Sequence, residues 1–561
     1  MRTSSTERIE KLTTAGLWGH RTLHGLLAQQ VLDHPDTLAV ADQPDKLALT
    51  GSHPARVSFQ TLDIASDALA VQLLERGIGP DSRVMVQLPN IAELVVCFFA
   101  ISKLGAIISP LPVQYGSFEI DALGRVFRPD LFIGCRSFKG QDIGQRARDA
   151  LSATPFADIH SDLRCLEIVR PAHAAEKLNS LDRAVVDDAN HIITVCWTSG
   201  TTGTPKGVPR SHNMWMATAQ SVSEASGYQS GERLLNPFPL VNMAAIGGFL
   251  YAAASLGCSL VLHHPLDPQG YLAQLQQEQI QFTIAPPALL NQLAHRPELW
   301  SAFDFSALRA IGSGSAPLSP EMIQIFEQTY NKPIVNFYGS NEGISLYSTP
   351  DTTPSVLLRA SCFPRFGEPN LPWQGYTQTA SRSQLIDPDS GQIITRPGIP
   401  GELCIDGPTV FDGYVGIDNA DLFTQSGYFR TGDLVEICGE SAQYYRIVGR
   451  CKDIINRGGM KISPSELDTL LELHPGVAEA AVCGYPDPIL GERVCACIVN
   501  APNQPRVSLA SLCAFLTEQG VATFKLPERL RHLDTLPRNP MNKVIRSELQ
   551  IVANTQEEPA P

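Results

Sequence analysis

The sequence predicts an α/β protein with layered, mostly parallel sheets. Short β-branched runs alternate with helix-period stretches between residues 83 and 330. At 561 residues the chain is long enough to split into two or more domains, each with a core. Its composition, 43% hydrophobic and 18% charged, is that of a globular protein and excludes a disordered one.

The elements follow in order. Residues 83–88, Arg-Val-Met-Val-Gln-Leu, read as a strand, 91–104 as a helix and 106–109 as the start of a second strand. His191-Ile-Ile-Thr-Val-Cys-Trp197 is a β-branched run that reads as a buried strand. Residues 244–262 are uncharged for about the length of a membrane span. Gly247, Gly248 and Gly257 interrupt them, so 246–256 is expected to be a buried helix, ended by Gly257, with a strand at 259–263. Residues 282–285 and 308–312 look like further strands, and 287–294 and 319–330 like helices. The last residues, Thr-Gln-Glu-Glu-Pro-Ala-Pro, are expected to be disordered.

Bulk properties exclude several functions. A net charge of −14 argues against a nucleic-acid-binding surface. Thirteen cysteines form no CxxC pair and no zinc-like spacing, so they read as reduced core thiols; Cys495 and Cys497 share one face of an expected strand. The N-terminus has no apolar signal core, and no membrane segment is expected, which makes the cytoplasm the expected location.

The chemistry begins at Thr-Ser-Gly-Thr-Thr-Gly-Thr-Pro-Lys-Gly, residues 198–207. Glycines let backbone N–H groups approach a ligand closely, and successive N–H groups with hydroxyl donors form a concavity that favours anions. Lys206 adds a mobile positive charge. A strand, then a Gly/Thr loop and a lysine, reads as a phosphate-holding loop. It is not the P-loop NTPase pattern, because Lys206 is followed by Gly207 and no metal-binding hydroxyl.

This loop resembles the signature of the adenylate-forming superfamily, which includes acyl-CoA synthetases, nonribosomal peptide synthetase adenylation domains and firefly luciferase. Further segments match the family in the same order along nearly the whole chain. Gly312-Ser-Gly-Ser-Ala-Pro317 resembles the adenine-side loop, which implies that Gly314, Ser315, Ala316 and Pro317 contact the nucleotide. Asn336-Phe-Tyr-Gly-Ser-Asn-Glu-Gly343 resembles the YGxTE motif. The resemblance implies that Tyr338 and Gly339 lie at the adenine, that Glu342 holds Mg²⁺, and that Asn341, where threonine is usual, donates to a phosphate or carboxylate oxygen. Tyr428-Phe-Arg-Thr-Gly-Asp433 is similar to the TGD motif, making Asp433 a ribose ligand.

Residues 449–461 match the segment that joins the family's large and small domains. By that match Arg450 contacts ribose, Lys452 is the hinge, and Gly458 and Gly459 face the incoming thiol. Leu536-Pro-Arg-Asn-Pro-Met-Asn-Lys-Val544 resembles the catalytic-lysine motif, with Asn542 in the place of a glycine, and implies that Lys543 is catalytic. Within the phosphate loop, Thr198, Ser199, Gly200, Thr201, Thr202, Gly203 and Lys206 would hold the nucleotide, with Thr201 taking part in catalysis.

The domains implied are an adenylation core at 1–448, a hinge at 449–453, a small mobile α+β domain at 454–551 and a tail at 552–561. The expected activity is that of an AMP-forming carboxylic acid ligase using ATP and Mg²⁺, with coenzyme A as the favoured thiol. The alternative is a stand-alone aryl- or acyl-acid ligase loading the phosphopantetheine of an acyl carrier protein. Trp18-Gly19, Val86-Gln-Leu-Pro-Asn90 and Pro209-Arg-Ser-His212 are similar to aryl-acid adenylating enzymes. The acid pocket is expected at Val241, Asn242, Met243 and Gly339. No Asp, Glu, Lys or Arg occurs between Leu234 and Leu266, so an α-amino acid, whose ammonium would need a partner, is expected to be rejected.

Overall fold

Parallel strands need long crossovers, and helices supply them here. The computed structural model describes residues 1–163, 165–166, 169–198, 206–314, 318–457, 460–519, 521–539 and 543–555. Its contacts divide the chain into two compact units: Met1–Ser383 with Ile405–Phe429, and Gln384–Cys404 with Arg430–Pro561. Residues 384–404 and 430–448, which the sequence reading places in the large domain, therefore group with the C-terminal residues.

Among the described residues the larger unit holds two large sheets and a two-stranded ribbon, Ser137–Phe138 with Gln141–Asp142. One has eight strands in the order Ser345–Ser348, Ile334–Gly339, Ala310–Gly314, Phe282–Ile284, Arg233–Asn236, Ser259–Leu262, Leu38–Ala41 and Arg56–Ser58. Its interior pairs are parallel and its two edge pairs antiparallel. The other has six, in the order Lys206–Ser211, Ile192–Thr198, Ile107–Leu111, Arg83–Gln87, Leu131–Gly134 and Phe156–Asp158. It is parallel except for its first pair.

The helix Ala92–Lys103 buries every one of its residues, so its one carboxylate needs a partner. Lys46 supplies it. The fully buried ammonium sits 2.7 Å from Glu93 and 2.8 Å from Asp42. Asp42 in turn accepts from the Ala92 N–H at 2.7 Å, fixing the first turn of that helix. Burial pulls the Lys46 pKa down, but Glu93 and Asp42 outweigh it and hold it above the ordinary value.

The uncharged run is helical, as expected, but not uniformly. Met243–Ala245 is a single α-helical turn, Ile246–Tyr251 is π-helical, and Ala252–Leu256 returns to α geometry. A Cβ on Gly247 would come within 2.4 Å of Thr218 Cγ2, so this glycine exists to let the helix His212–Ser226 pack close. Among the described residues no helix is long and apolar enough to cross a membrane.

The smaller unit is α+β. The strands Met460–Ile462, Ile455–Arg457, Gly491–Asn500 and Val477–Asp487 lie in that order, and Arg529–His532 runs parallel to Gly491–Asn500. Ile455, Leu467, Val482, Ala496, Ile498 and Leu512 form its core with the helices Pro464–Leu471 and Leu509–Glu518. On the opposite face Cys483 pairs with Cys495, and Cys497 follows on the same side. The three sulfurs lie within 4.8 Å of one another, sealed beneath Leu536, Leu549 and Ala553. This aliphatic cover fits their reading as core thiols.

One expectation needs correcting. The final helix, Arg546–Asn554, buries Leu549 and Ala553, so residues 552–554 continue it rather than opening a disordered tail. Residues 556–561 lie outside the described residues.

Replacing Lys46 with methionine should strand two buried carboxylates and lower the unfolding free energy of the larger unit by about 3–5 kcal/mol. Urea denaturation followed by tryptophan fluorescence measures this. A loss below about 1 kcal/mol, the range of exposed pairs, would show that the triad is solvated.

Candidate active site

The strands Ile192–Thr198 and Lys206–Ser211 pair antiparallel, with Lys206 opposite Thr198 and Gly207 opposite Trp197. The phosphate-type segment therefore joins two strands of one hairpin. The next helix, His212–Ser226, starts only after the second strand, capped by the Ser211 hydroxyl accepting from Met214 N at 3.2 Å. Among the described residues no helix begins directly at the segment's end, so any anion held there would meet N–H groups, hydroxyls and Lys206 rather than a helix dipole. Ser199, Gly200, Thr201, Thr202 and Gly203 lie outside the described residues.

Across from this hairpin, the strand Ile334–Gly339 carries Tyr338 and leads into the turn that presents Glu342. Gly314, on the neighbouring strand, is there for space: a Cβ would meet Phe337 O at 2.1 Å. Ser315, Ala316 and Pro317 lie outside the described residues. Tyr338 is half-buried, its ring 5.5 Å from that of Phe363.

The Glu342 turn is tight. Gly343 donates to Ser340 O at 3.0 Å and has φ +118°, a conformation that favours glycine. A Cβ there would sit 2.2 Å from Thr409 O. Phe411 N donates to Glu342 O at 2.9 Å and the Thr409 hydroxyl to Gly343 O at 2.8 Å, pressing the turn against residues 409–411. The Glu342 carboxylate is buried, and its Oε1 accepts from the Tyr414 hydroxyl at 2.9 Å. Tyr414 also lies beneath Lys206, whose ammonium is 4.8 Å from the ring centroid.

Arg210 locks hairpin and turn together. Its guanidinium is fully buried; Nη1 donates to Asn341 O at 2.9 Å and Thr409 O at 2.8 Å. Nη2 donates to Met214 O at 3.1 Å and to the Thr218 hydroxyl at 2.9 Å, while the group stacks 4.6 Å above Trp215. Burial pushes its pKa down to about 10, which still leaves it charged at neutral pH.

The Asn341 side chain has protein partners of its own. Its Oδ1 accepts from Met243 N at 2.8 Å and its Nδ2 donates to Trp197 O at 3.3 Å. An amide carries both a donor and an acceptor, so asparagine can bridge two segments where the threonine usual in the family has one hydroxyl. Asn242 likewise spends its Oδ1 on capping the helix at Met243, accepting from Ala245 N at 3.2 Å. Val241 and Met243 are buried, and the Met243 sulfur lies 3.9 Å from where a Cβ on Gly339 would sit. The expected acid-pocket residues Met243 and Gly339 thus meet.

In the smaller unit, Asp433 and Arg450 face each other across an antiparallel pair, Oδ1 to Nε 2.6 Å, with Asp433 buried and Arg450 half exposed. Lys452 is exposed in the turn that follows. Lys543 is exposed in a loop closed by Asn539 N donating to Lys543 O at 2.8 Å and Lys543 N donating to Asn539 Oδ1 at 2.9 Å. Gly458, Gly459 and Asn542 lie outside the described residues.

Residues 37–415 match the model of the AMP-binding enzyme family, and residues 466–543 that of the AMP-binding enzyme C-terminal domain. The chain belongs to the AMP-binding enzyme family. It is an AMP-forming acid ligase. It is 30% identical to Triostin synthetase I of Streptomyces triostinicus, covering 96% of this chain and 95% of that one. It is 27% identical to a salicyl-AMP ligase / salicyl-S-ArCP synthetase of Mycobacterium tuberculosis, covering 96% and 92%. The ATP-bound structure of MatB from Rhodopseudomonas palustris shares the fold, with a TM-score of 0.76 at 24% identity over 95% of this chain and 99% of that one.

Arg210 and Tyr414, like Thr409 and Phe411, have no role assigned from the sequence. Arg210→Met would leave three main-chain carbonyls short of a donor and should cost about 3 kcal/mol in urea unfolding. Arg210→Lys should recover only part, because an ammonium cannot span the same fork. Full recovery with lysine would mean that charge alone matters there.

Proposed function

We propose that this protein adenylates a neutral-tailed acid, aryl or alicyclic, and passes it to the phosphopantetheine thiol of a carrier protein. The observation that carries the acid is the uncharged run between Leu234 and Leu266, which brings Met243 against Gly339 with Asn242 as its polar group. A relative named for salicyl-AMP and salicyl-S-ArCP formation supports an aryl acid and a carrier. Coenzyme A, favoured by the sequence, is the second reading; it carries the same phosphopantetheine arm.

In the first step a carboxylate oxygen attacks the α-phosphorus of ATP, the bond to the β-phosphate oxygen breaks, and pyrophosphate leaves. Positioning and electrostatic stabilisation do most of this work. Lys206, with Thr198, Ser199, Thr201 and Thr202, holds the departing pyrophosphate, while Lys543 bridges the acid and the α-phosphate. Tyr338, Gly339 and the loop from Gly314 to Pro317 hold adenine, and Asp433 and Arg450 hold ribose.

The residues present fit Mg²⁺, a cofactor typical of the family. Glu342 offers a buried carboxylate with one oxygen held by Tyr414, and among the described residues its other oxygen accepts no hydrogen bond. Bound there, the ion would offset phosphate charge. In the second step a thiolate attacks the acyl carbon, the bond to AMP breaks, and AMP departs. For that step residues 449–453 act as a hinge at Lys452, Lys543 withdraws, and the Gly458-Gly459 segment opens to the thiol. A reducing cytoplasm suits the sealed thiols.

Acid-dependent exchange of pyrophosphate into ATP across a panel of acids tests the pocket. Benzoate-type or cyclohexane acids should outperform every α-amino acid, and the reverse order would refute the uncharged pocket. Thioester formation with CoA and with a phosphopantetheinylated carrier then separates the acceptors; faster turnover with CoA would favour the second reading.

The two half-reactions should also separate by mutation. Lys543→Ala should abolish most exchange yet spare thioester formation from supplied acyl-adenylate. Lys452→Pro should do the opposite, since proline fixes φ at the hinge. Equal losses in both assays for either variant would sink the rotation.

A further inference from the structure

Tyr414 occupies an unusual position between two charges that do not touch each other. Its hydroxyl donates to Glu342 Oε1 at 2.9 Å, and its ring face lies 4.8 Å below the Lys206 ammonium. Among the described residues no ion pair joins Lys206 to Glu342; each meets Tyr414 instead. Opposite charges held on one tyrosine attract more strongly as a site loses water, so what stands between them matters.

The ring cannot drift out of the way. Tyr414 N donates to Asn419 Oδ1 at 2.9 Å, and Asn419 Nδ2 donates back to Tyr414 O at 3.3 Å. The next residue, Val415, donates its N–H to Gly207 O at 2.9 Å, tying this segment to the strand that carries Lys206. The Phe411 ring meets the Tyr414 ring edge-on at 4.9 Å. Since Phe411 N also holds Glu342 O, one short segment, 411–415, sets the spacing of both charged residues.

We propose that Tyr414 is a positioning residue that keeps Lys206 and Glu342 from neutralising each other, so that one stays available for phosphate and the other for Mg²⁺. The proposal rests on the reading of those two residues given above. The ring offers Lys206 a cation–π contact in place of a carboxylate. The hydroxyl offers Glu342 a neutral donor in place of an ammonium, leaving its second oxygen for the metal. A cation over the ring also draws electron density from it, which strengthens the hydroxyl as a donor. The two contacts therefore support one another.

Phenylalanine keeps the ring and removes the donor; leucine removes both. The readout is calorimetric binding of α,β-methylene-ATP, which cannot be cleaved at the reacting bond, over a series of Mg²⁺ concentrations. It needs neither the acid nor the acceptor. With Tyr414→Phe, Glu342 is released toward Lys206, and the Mg²⁺ concentration for half-maximal binding should rise about tenfold, as loss of one charge-assisted hydrogen bond implies. Affinity at saturating Mg²⁺ should stay within about twofold, because the cation–π contact remains.

Tyr414→Leu should show the same Mg²⁺ shift and a further drop of about three- to tenfold in affinity at saturating Mg²⁺. Circular dichroism and thermal unfolding confirm that each variant is folded. An unchanged Mg²⁺ dependence in Tyr414→Phe, or identical behaviour of the two variants, would overturn the proposal while leaving the roles of Lys206 and Glu342 standing. Mg²⁺-independent binding by the unaltered protein would instead overturn the assignment of Glu342, and this proposal with it.

Discussion

Much of the larger unit's site hangs on one buried cation. Among the described residues Arg210 has no carboxylate partner; main-chain carbonyls and a threonine hydroxyl accept from its two Nη groups, its buried Nε has no acceptor, and Trp215 covers its face. Isolating a charge from water is costly unless its donors are used, so the surrounding segments are constrained to present oxygens. Those segments are the Asn341 turn, residue 409 and the helix His212–Ser226. The strand carrying Lys206 and the turn carrying Glu342 are thus anchored to the same buried group, with the segment 411–415 setting the spacing between the two side chains.

A second tier of contacts converts that scaffold into a shaped site. Asn341 joins the helical turn at Met243 to the end of the strand Ile192–Thr198. The segment 405–429 belongs to the larger unit although the chain before and after it belongs to the smaller one. That return passage is what delivers Thr409, Phe411 and Tyr414 to the Glu342 turn.

Periodicity made much of the fold legible. The strands at 83–88, 191–197 and 282–285 and the helix at 91–104 are local patterns, and each appears within a residue or two. The family was legible because its motifs are contiguous. What escaped depends on contacts between distant parts of the chain. Asn341 and Met243 are 98 residues apart, and Tyr414 and Glu342 are 72 apart. A single sequence gives no signal for such pairs. Gly314 stands in the adenine-side motif, and its lack of a side chain also answers to the carbonyl of Phe337 on the neighbouring strand, a contact the motif does not announce. Gly247 was read as an interruption, and it is a packing device.

The π-helical stretch Ile246–Tyr251 follows directly on the capped turn at Met243. Such a stretch is an α-helix that has accommodated an extra residue. Removing one residue would restore plain α geometry and rotate everything upstream by about 100° around the axis. Val241 and Met243 would then present different atoms to their surroundings. The side chains that this stretch presents can therefore change by a one-codon deletion as readily as by substitution, along a helix that is already out of α register.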